Sequence, residues 1–226
     1  MNAPGRGVFV TGTDTGVGKT LVACTLARSL RERGLRVGVM KPVETGVGDA
    51  GPLDALALRE AAGVDDPLER ICPARFAQPS APPVAARAEG RDVDLQAIRQ
   101  AFTELRQRHE YLIVEGAGGL LVRVAGEVSM ADLAQEFELP LLVVARGALG
   151  TFNHTHLTLE AARTRELPVA GVVVSQVDGA LSSADADNLG ALRESLGARW
   201  LGEIPPLEPG ARPQPGCIDL ASLLGR

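Results

Sequence analysis

The stretch Gly12-Thr13-Asp14-Thr15-Gly16-Val17-Gly18-Lys19-Thr20 constrains the fold of this chain more than any other. It follows the apolar run Val8-Phe9-Val10 and precedes Leu21 to Arg33, where Leu21, Thr25, Leu26 and Leu30 recur at helical spacing before Gly34. A strand, a Gly-rich turn, Gly-Lys-Thr and a helix in that order form a phosphate-binding loop. Backbone N–H groups from Asp14 to Gly18, with Thr15, Gly16 and Val17 between them, are free to surround phosphate oxygens. Lys19 adds a point charge for the β- and γ-phosphates, and Thr20 offers a hydroxyl to Mg²⁺. The usual pattern has its first glycine where Thr13 stands, whereas Gly12 lies one residue earlier, so the loop reads as a longer variant. A Gly-rich structural turn is the competing reading, and the strand–helix setting favours nucleotide binding.

Strand and helix patterns alternate along the rest of the chain. Arg36 to Met40 reads as a buried strand ending at Lys41-Pro42, and Pro52 to Ala62 as a short helix with Asp54 in its first turn. Asp66 to Arg91, with Pro79, Pro82 and Pro83, is expected to be an irregular surface excursion. Leu95 to Gln107 is helical, and Tyr111 to Val114 is an apolar strand ending in Glu115-Gly116-Ala117-Gly118-Gly119. Helices over 129–137, 155–165, 184–196 and 218–224 alternate with strands over 140–145, 169–174 and 200–204. Such alternation predicts an α/β fold of the P-loop NTPase type, a doubly wound and mainly parallel sheet flanked by helices. At 226 residues the chain fits one large domain or two small ones, and we read residues 1–226 as one nucleotide-binding domain.

The net charge of −5, with both signs interspersed, offers no basic field to nucleic acid or to an anionic membrane. Three cysteines without metal or redox spacing fit a reducing cytoplasm. Met1 to Arg6 has no apolar signal core, and no run reaches the roughly 20 apolar residues of a membrane span, so a cytoplasmic protein is expected.

Open α/β sheets bind ligands at the C-terminal ends of their strands, where the loop with Lys19 and Thr20, Lys41 with Thr45, and Glu115 should converge near Asp54. Thr20, Asp54 and Glu115 are candidate Mg²⁺ ligands, because the ion takes oxygen donors and keeps several waters. Lys19 and Lys41 are candidates to neutralise charge on a transferred phosphoryl group. Lys41 read alone is as ordinary as any solvated strand-end lysine, Asp54 could simply complement a helix dipole, and Glu115 could be a turn carboxylate. An acid at the end of an apolar strand is expensive unless paired, which favours the metal for Glu115.

The chain resembles the dethiobiotin synthetase family. The resemblance rests on Val10-Thr11-Gly12-Thr13-Asp14-Thr15 with Val17-Gly18-Lys19-Thr20, on Lys41-Pro42-Val43 with Thr45-Gly46, and on Asp54-Ala55-Leu56-Ala57-Leu58. It continues through Val114-Glu115-Gly116-Ala117-Gly118-Gly119, Leu149-Gly150 with Asn153-His154, and Gly202-Glu203-Ile204-Pro205, in the family's order and over nearly the full length. The longer phosphate loop is also the family's form. The resemblance implies a cyclo-ligase that uses ATP and Mg²⁺ to join CO₂, supplied as bicarbonate, to 7,8-diaminononanoate through a carbamate and a carbamic-phosphoric anhydride.

On matching positions, Lys41 would face carbamate and γ-phosphate with Lys19 beside it, and Thr15 and Thr45 would touch diamine or carbamate. Gly116, Ala117 and Gly118, then Ser175 and Gln176, then Pro205, Pro206 and Leu207 would lie on the nucleotide side. Gly150, Thr151, Phe152 and Asn153 would receive the substrate carboxylate across a homodimer interface; helix capping by Thr151 or Asn153 is the plainer reading of the last four. The chain departs from the family in two places. Ser175-Gln176 stands where adenine-selecting members often have Asn, and no tyrosine lies near Asp187, where some members use one at the substrate carboxylate.

Two other readings compete. A partition-type dimeric ATPase switch carries a signature lysine five residues before Lys19, where this chain has Asp14. The ATP domain of a corrinoid-amidating enzyme would come with a further glutamine-using domain and a nucleophilic cysteine.

Overall fold

Successive residues of the central strands face opposite ways, and both faces are apolar. Phe9, Leu112, Val114, Leu141, Val143, Val172 and Val174 point into one core layer. Their neighbours Val8, Val10, Ile113, Leu142, Val144 and Val173 point into the other. With a side-chain period of two, such strands are stable only between two helical layers, which is why they read as continuous apolar runs.

The computed structural model describes residues 6–208 and 210–225. In chain order the elements are β1 (Arg6–Gly12), α1 (Lys19–Glu32), β2 (Val37–Met40), β3 (Val43–Thr45), α2 (Leu53–Ala62), α3 (Leu68–Ile71), β4 (Ala74–Phe76), α4 (Pro82–Ala88) and α5 (Leu95–Arg108). They continue with β5 (Tyr111–Gly119), β6 (Arg123–Ala125), β7 (Val128–Ser129), α6 (Met130–Glu136), β8 (Leu141–Arg146), α7 (Thr151–Thr164), β9 (Val169–Ser175), α8 (Ser183–Leu196), β10 (Trp200–Ile204) and α9 (Leu220–Leu224).

The main sheet has the order β10-β9-β8-β1-β5-β2, and its strand pairs are parallel. The chain leaves β1 for the edge at β2 and later fills the gap with β5, whereas β8, β9 and β10 extend the other side. The winding direction therefore changes beside β1, and the loop after β1 opens at the point where such sheets bind ligands. Helices α1, α2 and α9 pack on one face, and α4 to α8 on the other.

Several boundaries differ from the sequence expectation. Residues 66–91 are not an irregular excursion: they contain α3, β4 and α4, and β4 pairs in parallel with β3. Their prolines start structure as well as interrupt it, since Pro82 and Pro83 open α4, where a missing N–H costs nothing and a fixed φ suits the helix. Ile71, Cys72 and Phe76 tie the segment to the core. Strand β5 does not stop at Val114 but runs through Glu115 to Gly119, with Glu115 opposite Val10 of β1. Helix α7 starts at Thr151 rather than Thr155. Helix α9 starts at Leu220 rather than Ile218, capped by Asp219, whose side chain accepts from the Ser222 amide at 3.1 Å.

Candidate active site

The glycine that stands one residue early has a steric reason for its place. Gly12 ends β1, and a Cβ added there would lie 2.6 Å from the Asp14 carbonyl oxygen and 2.9 Å from Lys19 Nζ. The chain folds back over this position, and the Lys19 ammonium donates to the Asp14 carbonyl at 3.0 Å. Gly18 precedes α1 with φ of 90°, and no side chain caps that helix. The first-turn N–H groups therefore remain available to an anion.

Strand order then brings distant residues to the same place. Lys41, just past β2, donates from Nζ to Asp54 Oδ2 at 2.7 Å and to Glu115 Oε1 at 2.6 Å. The same Glu115 oxygen accepts from Thr20 Oγ1 at 2.8 Å. A single network thus joins the phosphate loop, the end of β2, the start of α2 and the middle of β5. The side chain of Lys41 is 4% exposed and that of Glu115 is 0% exposed, whereas Asp54 is 40% exposed. Glu115 Oε2 is buried and has no hydrogen-bond partner among the described residues.

These groups border a cavity of about 350 Å³, together with Thr15, Thr45 and Gly118. Its electrostatics separate the two lysines. Burial pulls the pKa of Lys19 down to about 8, and the neighbouring positive charge of Lys41 adds to the effect. Burial also opposes the charge on Lys41, but Glu115 and Asp54 outweigh it and hold the ammonium above the ordinary lysine range. Burial likewise opposes the charge on Asp54, and Lys41 outweighs it, leaving the carboxyl below its ordinary value. The cavity therefore keeps one cation held charged deep in its wall and a second whose pKa burial pulls down to about 8.

Other expected residues are distributed around this cavity in different ways. Gly16, Gly18 and Ala117 border it, whereas Gly150, Thr151, Phe152 and Asn153 are not among its lining residues in the single chain. Gly150 takes the left-handed N-cap position of α7 with no side-chain cap, so neither Thr151 nor Asn153 caps this helix, and Thr151 Oγ1 is buried without a hydrogen-bond partner among the described residues. Ser175 is buried at the end of β9, with its hydroxyl 2.6 Å from where a Gly18 Cβ would stand. Gln176 donates from Nε2 to Glu203 Oε1. Pro205, Pro206 and Leu207 follow β10 beyond the lining of this cavity.

Two residues not singled out in the sequence also belong to the setting. Arg146, at the end of β8, donates to the Thr15 carbonyl at 3.2 Å and lies 3.4 Å from Asp178, bracing the phosphate loop against the segment after β9. Glu44 lines the cavity and accepts from the backbone N–H groups of Asp54 and Ala55, each at 3.0 Å. A carboxylate within the Lys41-to-Thr45 stretch was the available signal for Glu44, but nothing local showed what it would face. Among the described residues, no cluster of three or more His, Cys, Asp or Glu side chains is arranged to hold a metal, and no helix is long and apolar enough to cross a membrane.

A parallel sheet wound to both sides of a phosphate loop, with a buried lysine–carboxylate network at its switch point, defines a P-loop NTPase-type nucleotide enzyme. Solved structures agree on the fold alone. A plasmid partition-type protein of Borrelia burgdorferi, 10% identical, aligns over 99% of this chain and 98% of its own with a TM-score of 0.61. A ParA family ATPase of Chlorobium tepidum, 16% identical, aligns over 96% and 89% with a TM-score of 0.52. The family described as an AAA domain matches residues 6–214.

The ATP-dependent dethiobiotin synthetase of Anaeromyxobacter dehalogenans strain 2CP-C is 55% identical over 171 residues, 76% of this chain and 77% of that protein. Those of Thermodesulfovibrio yellowstonii and Bacillus licheniformis are each 39% identical, the first over 88% of both chains and the second over 90% of this chain and 87% of its own. The chain belongs to the dethiobiotin synthetase family and is an ATP-dependent ligase.

Proposed function

We propose that the protein carboxylates 7,8-diaminononanoate and closes the cyclic urea of dethiobiotin, converting ATP to ADP and phosphate. One amine adds CO₂ and loses a proton, giving a carbamate. A carbamate oxygen takes the γ-phosphoryl group as ADP leaves, forming a mixed anhydride. The second amine then attacks the carbonyl carbon, phosphate departs with the electron pair of the C–O bond, and a proton is lost from nitrogen. Without the anhydride the carbamate oxygen is too poor a leaving group, which is what ATP supplies.

The observation that carries this reading is the buried Lys41 ammonium beside the phosphate loop, fixed at 2.6 and 2.7 Å from two carboxylates. Bringing an anionic carbamate to a triphosphate requires positive charge at the junction, and Lys41 is already placed there before the substrates arrive. Lys41 would face carbamate and γ-phosphate, Lys19 would neutralise the β/γ region, and Thr15 and Thr45 would contact diamine or carbamate. Asp14 to Thr20 and Gly116 to Gly118 would enclose the phosphates. Ser175, Gln176 and Pro205 to Leu207 would lie nearer the base.

Thr20, Asp54 and Glu115 would hold Mg²⁺. Their donors are all oxygen, as a hard ion requires, and the unpartnered buried Oε2 of Glu115 is the kind of atom a cation satisfies. Bound there, the ion would offset phosphate charge. Gly150 to Asn153 would serve the site of a second copy in a homodimer, a reading supported by the exposed Leu149, Phe152 and Leu157 on and beside α7. A cytoplasmic setting is supported by three free thiols.

The test is ADP release with diaminononanoate, bicarbonate and each nucleoside triphosphate in turn. Release should require both the diamine and bicarbonate and be fastest with ATP. Slow hydrolysis indifferent to the diamine would instead support a switch ATPase.

A further inference from the structure

Helix α2 begins without a cap of its own. Its N-cap residue is Pro52, whose ring has no acceptor, and no side-chain cap hydrogen bond is made from that position. The orphan N–H groups at its second and third positions are taken by Glu44, from β3. Oε1 accepts from the Asp54 amide and Oε2 from the Ala55 amide, both at 3.0 Å.

The same short segment grips Asp54 from its other end. Lys41, three residues before Glu44, holds the Asp54 carboxylate at 2.7 Å. Asp54 is thus fixed at its amide by one residue and at its carboxylate by another. Helix α2 cannot slide or rotate relative to the Lys41 segment without breaking one of the three bonds. Lys41 is itself anchored, because its amide donates to the Ile71 carbonyl at 2.7 Å.

We propose that Glu44 is a positioning residue of the active site, capping α2 in place of Pro52 and thereby fixing the Asp54 carboxylate against Lys41. It acts through Asp54 and is not a catalytic residue: both its oxygens are engaged by backbone N–H groups. The inference rests on the proposed reaction for its kinetic consequence, but not for the clamp.

The test compares Glu44→Gln, Glu44→Ala and Glu44→Asp with the wild type by steady-state ADP release and by amide hydrogen exchange. Gln keeps the shape of Glu but turns a donor toward one of the two N–H groups. Misplacing a reacting group by about an ångström costs up to about 100-fold in rate, so kcat of the Gln and Ala variants should fall at least about tenfold with the KM for ATP nearly unchanged. Exchange at the Asp54 and Ala55 amides should accelerate in both variants. Glu44→Asp, which keeps the charge, should recover part of the rate lost in Glu44→Ala.

Wild-type kcat in the Gln and Ala variants, or unchanged exchange at the two amides, overturns the proposal. If Glu44→Ala fails to fold, the isosteric Gln variant decides it. Failure of the proposed reaction shows differently, as wild-type protein that releases no ADP with diamine and bicarbonate, and the exchange arm then still reads the clamp.

Discussion

Replacing Lys41 with methionine should damage stability as well as chemistry, and in a way that depends on pH. The substitution nearly preserves the side chain's length while removing the charge, so little cavity forms and the effect isolates the ion network. Two carboxylates lose their cation, but unequally. Asp54 is 40% exposed and can be rehydrated, whereas Glu115 is fully buried and keeps only the Thr20 hydroxyl at 2.8 Å. Removing one partner of a buried pair typically costs about 3–5 kcal/mol, because the surviving charge is stranded away from water. For a chain of this size about 1 kcal/mol lowers Tm by about 2–4 °C, so a fall of roughly 6–20 °C is expected near pH 8. Low dielectric disfavours the stranded anion, so the folded variant takes up a proton at higher pH than the unfolded chain. The deficit should then narrow as pH falls toward the ordinary carboxylate range. Pairing Lys41→Met with Glu115→Gln should recover most of the lost Tm. Calorimetric melts of the single and double variants at pH 8 and pH 5, with ADP release and binding of a non-hydrolysable ATP analogue, check this. Ring closure should be abolished in the single variant while nucleotide affinity stays near wild type. A single variant that melts with the wild type at pH 8, or a deficit that widens on acidification, would refute the reasoning.

Other consequences can be measured separately. Lys19 titrates at about 8 in the free protein, below the unfolded lysine value of about 10.4, so its contribution makes stability rise with pH between those values. Polyphosphate should raise that pKa, and ATP binding at pH 8 should take up about half a proton; titration calorimetry in buffers of different ionisation enthalpy that finds none would contradict the burial of Lys19. Asp54→Ala should raise the Mg²⁺ concentration needed for half-maximal ADP release, and an unchanged titration would remove Asp54 from the metal site. Gly18→Ala combines a left-handed backbone with a Cβ 2.6 Å from Ser175 Oγ, so it should cost at least about 1–3 kcal/mol in thermal melts and weaken nucleotide binding.

The phosphate loop, the alternation of strands and helices, and the candidates Lys41, Asp54 and Glu115 were legible because each leaves a local mark. The marks are a Gly-rich turn between a strand and a helix, apolar runs of strand length, a charged residue beside such a run, and for Asp54 an acid in the first turn of a helix. Residues 66–91 misled because prolines signal both interruption and helix starts, and only the packing of Ile71, Cys72 and Phe76 distinguishes the two. Glu44 was invisible as a cap because its partners lie ten and eleven residues onward, beyond the spacing of a local capping motif.

The sequence by itself determined that this chain binds a nucleotide on a doubly wound sheet, and its motifs, in order, pointed to one family. Short-range sterics and hydrogen bonding settle such features within a few residues of where they are written. Tertiary structure alone decided that β5 enters between β1 and β2, which brings Glu115 within 2.6 Å of Lys41 across 74 positions of chain. It also decided that Gly12 is glycine because the loop returns over it, and that one lysine is held charged while the other titrates near pH 8. Burial and charge proximity depend on strand order, and strand order depends on how the whole apolar surface is divided between two faces.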